Sequence, residues 1–308
     1  MRAFLFPGQG SQSVGMGAAL AEASRAAKDV FDEVDEALGQ NLFRLMREGP
    51  DDELKLTENA QPAIMAHSIA VLQTMGVRLA DVASFAAGHS LGEYSALCAA
   101  GSFDLTTTAK LLKLRGQAMQ QAVPVGEGAM AALLGADLAL AQKIAEAAAE
   151  GEVCTVANDN DPSQVVISGE KAAIDRAVAI AKDMGAKRAV PLPVSAPFHC
   201  PLMQPAAEAM RDALSYVVVE APAVPVFANV TAQPETDPDT IRNQLVEQVT
   251  GMVRWRESVA NMFDAGVHEF VEVGGKVLGA MVKRIAPDAQ VTSVVTMEDI
   301  EAAAKEIA

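Results

Sequence analysis

The chain has 308 residues, half of them apolar and 21% charged, which supports one large globular fold or two modest ones and excludes a disordered or low-complexity protein. A formal charge of −16 lacks the basic footprint that nucleic-acid binding needs, and no apolar run reaches the length of a membrane span or a secretory leader. Cys98, Cys154 and Cys200 are widely spaced with no metal-ligand pattern, as free thiols in a reducing compartment would be, so a cytoplasmic protein without a metal site is expected.

Arg2 to Phe6 is a β-rich run broken by Pro7 and followed by the loop Gly8-Gln9-Gly10-Ser11-Gln12. A strand entering a Gly-rich loop is also how a dinucleotide fold begins. Here Ser13 stands where that fingerprint needs its third glycine, and the alternative is a loop that points a backbone N–H, that of Gln9, into a site. Ala18 to Leu38 is amphipathic, with Gly39 as its stop. Asn59-Ala60-Gln61-Pro62 opens a second helix with proline in its first turn, and Ala63 to Met75 is apolar enough to be buried. His67 within it reads as a packed, hydrogen-bonded histidine.

Val82 to Ala87 reads as a strand, and Glu93 to Ala100 as a helix ending at Gly101, with Gly88-His89-Ser90-Leu91-Gly92 between them. Glycines two residues either side of Ser90 are what a nucleophile elbow requires, because that turn crowds backbone against strand and helix. The serine hydroxyl then stands at a helix N-terminus, where the Leu91 N–H is free to meet a developing oxyanion. The plainer alternative is a tight turn with Ser90 as a helix cap.

Leu105 to Ala122 is a helix with Lys110, Lys113, Gln117 and Gln121 on one face and Leu111, Ala118, Met119 and Ala122 on the other. Arg115 falls on the apolar face. A guanidinium there costs several kcal/mol unless a carboxylate meets it. That carboxylate belongs either to an internal ion pair or to a substrate.

From Gly126 to Ser195 the predicted order is βαββαβ: strands Ala129–Leu134, Val153–Ala157, Gln164–Ser168 and Arg188–Val194, with helices Asp137–Glu150 and Lys171–Met184. Asn158 to Pro162 reads as a turn cluster. This is a split βαβ, or ferredoxin-like, unit over residues 126–195, inserted into a larger α/β body formed by 1–125 and 196–308. Where the chain rejoins that body, Pro197 and Pro201 hold His199 in a fixed loop. It is the best candidate base, since His89 should point away across the elbow and His268 precedes a strand; Cys200 has no elbow. Val224 to Val230 is read as a strand, Asp237-Pro238 as the cap of the helix Asp239 to Thr250, with Gln248 in its last turn and Gly251 as its stop, and Glu269 to Val273 as a strand turning at Gly274-Gly275 into the helix Val277 to Ile285. With Val291 to Val295 as a last strand, the pattern implies a mainly parallel sheet covered on both faces.

Together, Phe6-Pro7-Gly8-Gln9-Gly10-Ser11-Gln12, Asn59-Ala60-Gln61-Pro62-Ala63, Gly88-His89-Ser90-Leu91-Gly92-Glu93-Tyr94, Arg115-Gly116, Ser195-Ala196-Pro197-Phe198-His199 and Val273-Gly274 resemble the malonyl-CoA:acyl carrier protein transacylases over essentially the whole chain. The resemblance implies an α/β-hydrolase-like core with a ferredoxin-like insert and a Ser–His dyad. It makes Ser90 the nucleophile, His199 the base, and the Gln9 and Leu91 N–H groups the oxyanion hole. Arg115 is implied as the clamp for the malonyl carboxylate, and the Gln248 carbonyl as the group that orients His199. Gln61 and Asn229 are implied to line the site, and Phe198 to favour malonyl over methylmalonyl groups. No cofactor is implied beyond the coenzyme A thioester substrate, and the implied partner is an acyl carrier protein, for which Lys187, Arg188, Lys276, Lys283 or Arg284 could supply basic contacts.

Overall fold

The computed structural model describes residues 1–194 and 196–307, so Ser195, the first residue of the Ser195–His199 motif, and Ala308 lie outside the described residues. Among the described residues, ten strands form two sheets. The larger has six strands in the order β10-β9-β1-β2-β7-β8. These are β1 (Arg2–Phe6), β2 (Phe85–Gly88), β7 (Val226–Phe227), β8 (Pro234–Glu235), β9 (Glu269–Val273) and β10 (Gln290–Val294). All its pairs are parallel except β7 with β8, giving a mixed, mostly parallel α/β sheet.

β1 shows why this sheet must be covered on both sides. Strand periodicity sends Phe4 and Phe6 into one core and Ala3 and Leu5 into another, and all four are fully buried. The first core is closed by helices that include Arg25–Leu38, Thr57–Met75 and Leu105–Gln121; the second by Trp255–Asp264 and Leu278–Ile285. Each phenylalanine so placed contributes about 2–3 kcal/mol of transfer free energy.

The smaller sheet has the order β4-β5-β3-β6, with β3 (Gly128–Leu134), β4 (Cys154–Asp161), β5 (Gln164–Glu170) and β6 (Arg188–Pro191), all antiparallel. Helices Leu138–Ala149 and Lys171–Ile180 cover one face through Ala131, Leu133, Ile144, Val165, Ile167 and Ile174. Met130, Ala132 and Val166, one position out of phase, turn the other face toward the larger core. Among the described residues, no helix is long and apolar enough to cross a membrane.

Several expected elements are redrawn. Ala18 to Leu38 is two helices, Ala18–Ala23 and Arg25–Leu38, because Ser24 is extended and caps the second by accepting from the Ala27 N–H. The helix expected to open at Asn59 begins at Thr57, so Pro62 lies inside it; its missing N–H removes the bond that would reach the Glu58 carbonyl. His67 packs within this helix with Nδ1 against the Gly274 carbonyl at 3.2 Å. A short helix, Leu79–Val82, takes the start of the expected strand, which begins only at Phe85.

The largest departure is Asn158 to Asp161, which is strand rather than turn. β4 shifts register between Val156 and Asn158 and again between Asp159 and Asp161, and buries all four polar side chains against the larger body. Partners there outweigh turn propensity: Asp159 pairs with Arg256 at 2.8 Å, Asp161 with Arg284 at 2.8 Å, and Asn158 bridges Val253. The helix expected to reach Met184 stops at Ile180, and β6 stops at Pro191. β7 likewise has two residues, not seven, because the Asn229 N–H leaves the sheet for the Glu93 carboxylate. Asp237 caps the helix Pro238–Thr250 as expected, accepting from the Thr240 N–H.

Candidate active site

Ser90 sits between β2 and the helix Leu91–Ala99 with φ 54° and ψ −112°, a strained conformation for a residue with a side chain. The flanking glycines are obligatory. A Cβ on Gly88 would lie 1.9 Å from the Gly92 backbone, and one on Gly92 would lie 2.2 Å from the Phe6 carbonyl oxygen. The turn is held from the side by Asn229, whose Oδ1 accepts from the Ser90 N–H at 2.7 Å and whose Nδ2 donates to the Gly88 carbonyl at 2.7 Å.

His199, also at positive φ (56°), places Nε2 2.8 Å from Ser90 Oγ and Nδ1 2.8 Å from the Gln248 carbonyl oxygen. That carbonyl can only accept, so Nδ1 carries the proton and Nε2 presents its lone pair to the serine hydroxyl. Burial, reinforced by the positive charge of Arg115, pushes the His199 pKa down to about 3. The ring is a neutral base with no carboxylate behind it.

Arg115 is 1% exposed, and among the described residues no carboxylate lies within ion-pair distance of it. Nη1 donates to Gln61 Oε1 at 2.8 Å, and Nη2 to Gln248 Oε1 at 2.8 Å and to Ser90 Oγ at 3.2 Å. Of five guanidinium donors, these take three, and the buried Nε–H has no acceptor. Gln61 is fixed in turn by Thr57 Oγ1, which donates to Gln9 Oε1 at 2.9 Å. The internal ion pair considered for Arg115 is therefore absent.

A cavity of about 380 Å³ opens onto Ser90, His199 and Arg115. The larger body contributes Gln9, Gln61, Leu91, Met119 and Phe198 to its walls, the smaller sheet contributes Met130 and Asn158, and Leu192 comes from the segment just after β6. The N–H groups of Gln9 and Leu91 have no acceptor among the described residues. His89 turns its ring from the dyad toward Trp255 and bonds Asn160 through Nε2 at 2.8 Å. Cys200 is buried, with its thiol on the Pro197 carbonyl. Among the described residues no three His, Cys, Asp or Glu side chains gather to hold a metal ion.

The sequence pattern of the family described as acyl transferase domain matches residues 3–296. The chain belongs to the acyl transferase family. It is similar to the malonyl CoA-acyl carrier protein transacylase of Escherichia coli, 47% identical over 284 residues that make up 92% of each chain. Among solved structures it resembles the acyl-carrier-protein-S-malonyltransferase of Bartonella henselae, with TM-score 0.97, 54% identity and 99% of each chain covered. It also resembles one chain of a solved structure described as a type II PKS acyl-carrier protein in complex with its malonyl-transacylase, with TM-score 0.96, 40% identity and 99% of each chain covered.

The elements of this acyl transferase bring all nine expected residues to one place, with Asn229 behind the elbow and Gln248 behind the dyad rather than on the cavity wall. One neighbour was not singled out from the sequence. Glu93, 3% exposed, accepts from the Asn229 N–H at 3.0 Å and from Gln248 Nε2 at 2.7 Å. Burial pushes its pKa up to about 7 against the pull of those bonds and of Arg115. A carboxylate in the first turn of a helix ordinarily reads as a dipole partner, so its sequence position alone does not distinguish it.

Proposed function

We propose that this acyl transferase carries the malonyl group from malonyl-CoA to the phosphopantetheine thiol of an acyl carrier protein, supplying extender units for fatty-acid synthesis. The observation that carries the reading is Arg115, a buried cation beside the Ser90–His199 pair with no carboxylate at ion-pair distance among the described residues. The malonyl carboxylate pairs directly with the guanidinium and displaces the 3.2 Å contact between Arg115 and Ser90 Oγ. Held there, the acyl group presents its thioester carbonyl to the serine.

His199 Nε2 takes the Ser90 proton as Oγ attacks the thioester carbon, and the carbonyl oxygen becomes an oxyanion facing the free N–H groups of Gln9 and Leu91. The C–S bond breaks, coenzyme A leaves as the thiol with the proton from His199, and malonyl-Ser90 ester is left. The carrier-protein thiol then enters, gives its proton to His199, attacks the ester and regenerates Ser90. Burial and the positive Arg115 beside it keep His199 neutral between half-reactions, while the Gln248 carbonyl behind it holds the proton on Nδ1. Gln61 and Gln248 hold the guanidinium, Asn229 holds the elbow, and Phe198 limits the space beside the acyl chain. No cofactor enters the scheme.

We place this activity in the cytoplasm, in an α/β-hydrolase-like core (residues 1–125 and 196–308) with a ferredoxin-like insert (126–195). The observed order β4-β5-β3-β6 with two helices on one face supports the insert. For carrier-protein contact, Lys187 and Arg188 are exposed and have no ion-pair partner among the described residues, whereas Arg284 is tied to Asp161 and Lys276 to Asp299. Intact-protein mass spectrometry after brief mixing with malonyl-CoA tests the reading: a malonyl adduct on the wild type and none on Ser90→Ala is expected. Release of free coenzyme A with no adduct on either protein would point to hydrolysis instead.

A further inference from the structure

Glu93 is buried beside the reacting groups, yet no step of acyl transfer uses it. Its Oε2 accepts from Gln248 Nε2, while Oε1 of the same amide accepts from Arg115 Nη2. A glutamine amide between a carboxylate and a guanidinium can face only one way, and Gln248 is the residue whose carbonyl orients His199. One side-chain amide thus separates a buried anion from a buried cation, and Glu93 is the carboxylate whose charge reaches Arg115. Before substrate arrives, one positive and one negative charge balance in this pocket.

A malonyl carboxylate upsets that balance, since it adds a second anion around a single guanidinium where water is scarce. We propose that Glu93 takes up one proton from solvent when an anionic acyl group binds Arg115, so that this carboxylate sets the affinity of the site for malonyl over neutral acyl groups. The inference rests on the malonyl reading of the site. Protonated Glu93 keeps its role as an acceptor through the carbonyl oxygen of its carboxyl group, so the positions of Gln248 and Asn229 are unaffected. Burial has already raised the Glu93 pKa to about 7 in the empty site, and a second anion beside the same guanidinium raises it further, which favours the protonated form at neutral pH.

The other titratable groups around Glu93 do not compete. Tyr94, on the same helix, is held neutral by burial, and His199 is held neutral by burial and by Arg115. On the helix Thr57–Met75, Glu58 is paired with Lys113, and His67 is bonded to the Gly274 carbonyl. His89 faces Asn160, β2 and β7 carry no titratable side chain, and Arg2 of β1 is paired with Glu269.

The test uses Ser90→Ala protein, which binds acyl-CoA without transfer, titrated calorimetrically with malonyl-CoA and acetyl-CoA in two buffers of different ionisation enthalpy. At pH 7.5 a carboxyl group raised to about 7 is mostly ionised in the empty site, so a net fraction of a proton should be taken up with malonyl-CoA in excess of acetyl-CoA, whose nucleotide is the same. The malonyl-CoA Kd should weaken several-fold, and at most about tenfold, from pH 6 to pH 8, and the acetyl-CoA Kd should show no such excess. In Ser90→Ala/Glu93→Gln the excess uptake and the excess pH dependence should both vanish. Uptake that persists in that variant would assign the proton to His199 and overturn the proposal, as would selective malonyl binding with no uptake. Equal affinity for malonyl-CoA and acetyl-CoA at pH 6 would instead sink the malonyl reading itself. If Glu93→Gln does not fold, Ser90→Ala/His199→Asn decides instead: excess uptake that persists there is expected, and excess uptake that vanishes there overturns the proposal.

Discussion

Replacing Arg115 by alanine should separate malonyl from acetyl transfer. Two charge-assisted hydrogen bonds between a guanidinium and a carboxylate are worth about 1.5–3 kcal/mol each, or roughly 3–5 kcal/mol for the pair once partial solvation is allowed for. Malonyl-CoA kcat/KM should therefore fall by about 10²–10³-fold or more. An acetyl group has no carboxylate to lose. It forfeits only the Nη2 to Ser90 Oγ contact, which at 3.2 Å is near the outer end of hydrogen-bond distances and is worth about 1 kcal/mol, a loss of about fivefold. The assay is single-turnover acylation of Ser90 from each thioester, followed by intact mass, with thermal unfolding as a check that the Gln61 and Gln248 amides left unpaired have not undone the fold. Equal losses for the two substrates would refute the clamp. Arg115→Lys keeps the charge but not the planar fork, and should fall between alanine and wild type for malonyl transfer alone.

The pH dependence of acetyl transfer isolates the base. Because burial and Arg115 hold His199 at about 3, the ring is neutral at every working pH, and the acylation rate from acetyl-CoA should change less than about threefold between pH 5 and 7. An acid limb near the ordinary histidine value of about 6.5 would contradict that environment. At the elbow, Gly92→Ala drives a Cβ to 2.2 Å from the Phe6 carbonyl and 2.9 Å from that of Pro7, so β1 and the helix Leu91–Ala99 must separate. A loss of about 3 kcal/mol or more, seen as a fall of several degrees in Tm together with slowed acylation, is expected; an unchanged Tm would mean that the close approach is not required.

The glycines flanking Ser90 are legible in the sequence because backbone crowding leaves no other residue type, and the elbow follows from them. Arg115 is legible because a charge on an apolar helix face demands an explanation. The dyad is only half legible: two prolines mark His199 as fixed in a loop, but that it points at Ser90, and that the Gln248 main chain stands behind it, are tertiary facts that the resemblance supplied. Asn158 to Asp161 misled because polar residues at that density read as a turn, while the partners that make them strand, Arg256, Arg284 and Val253, lie about a hundred residues away. Val224 to Val230 misled the other way: an apolar run reads as strand, and only the distant Glu93 carboxylate ends it. Glu93 itself shows nothing unusual until the fold surrounds it.

The cavity has two walls of different origin. Ser90, His199 and Arg115 stand on one, while Met130 of β3 and Leu192, just after β6, stand on the other, and the Asp159–Arg256 and Asp161–Arg284 pairs join β4 to the larger body. Reactivity and capacity are therefore inherited separately. Substitutions along β3 can widen or narrow the room for an acyl chain while the nucleophile, its base and the anion clamp stay as they are, which gives this architecture a route to new extender units that never passes through an inactive enzyme.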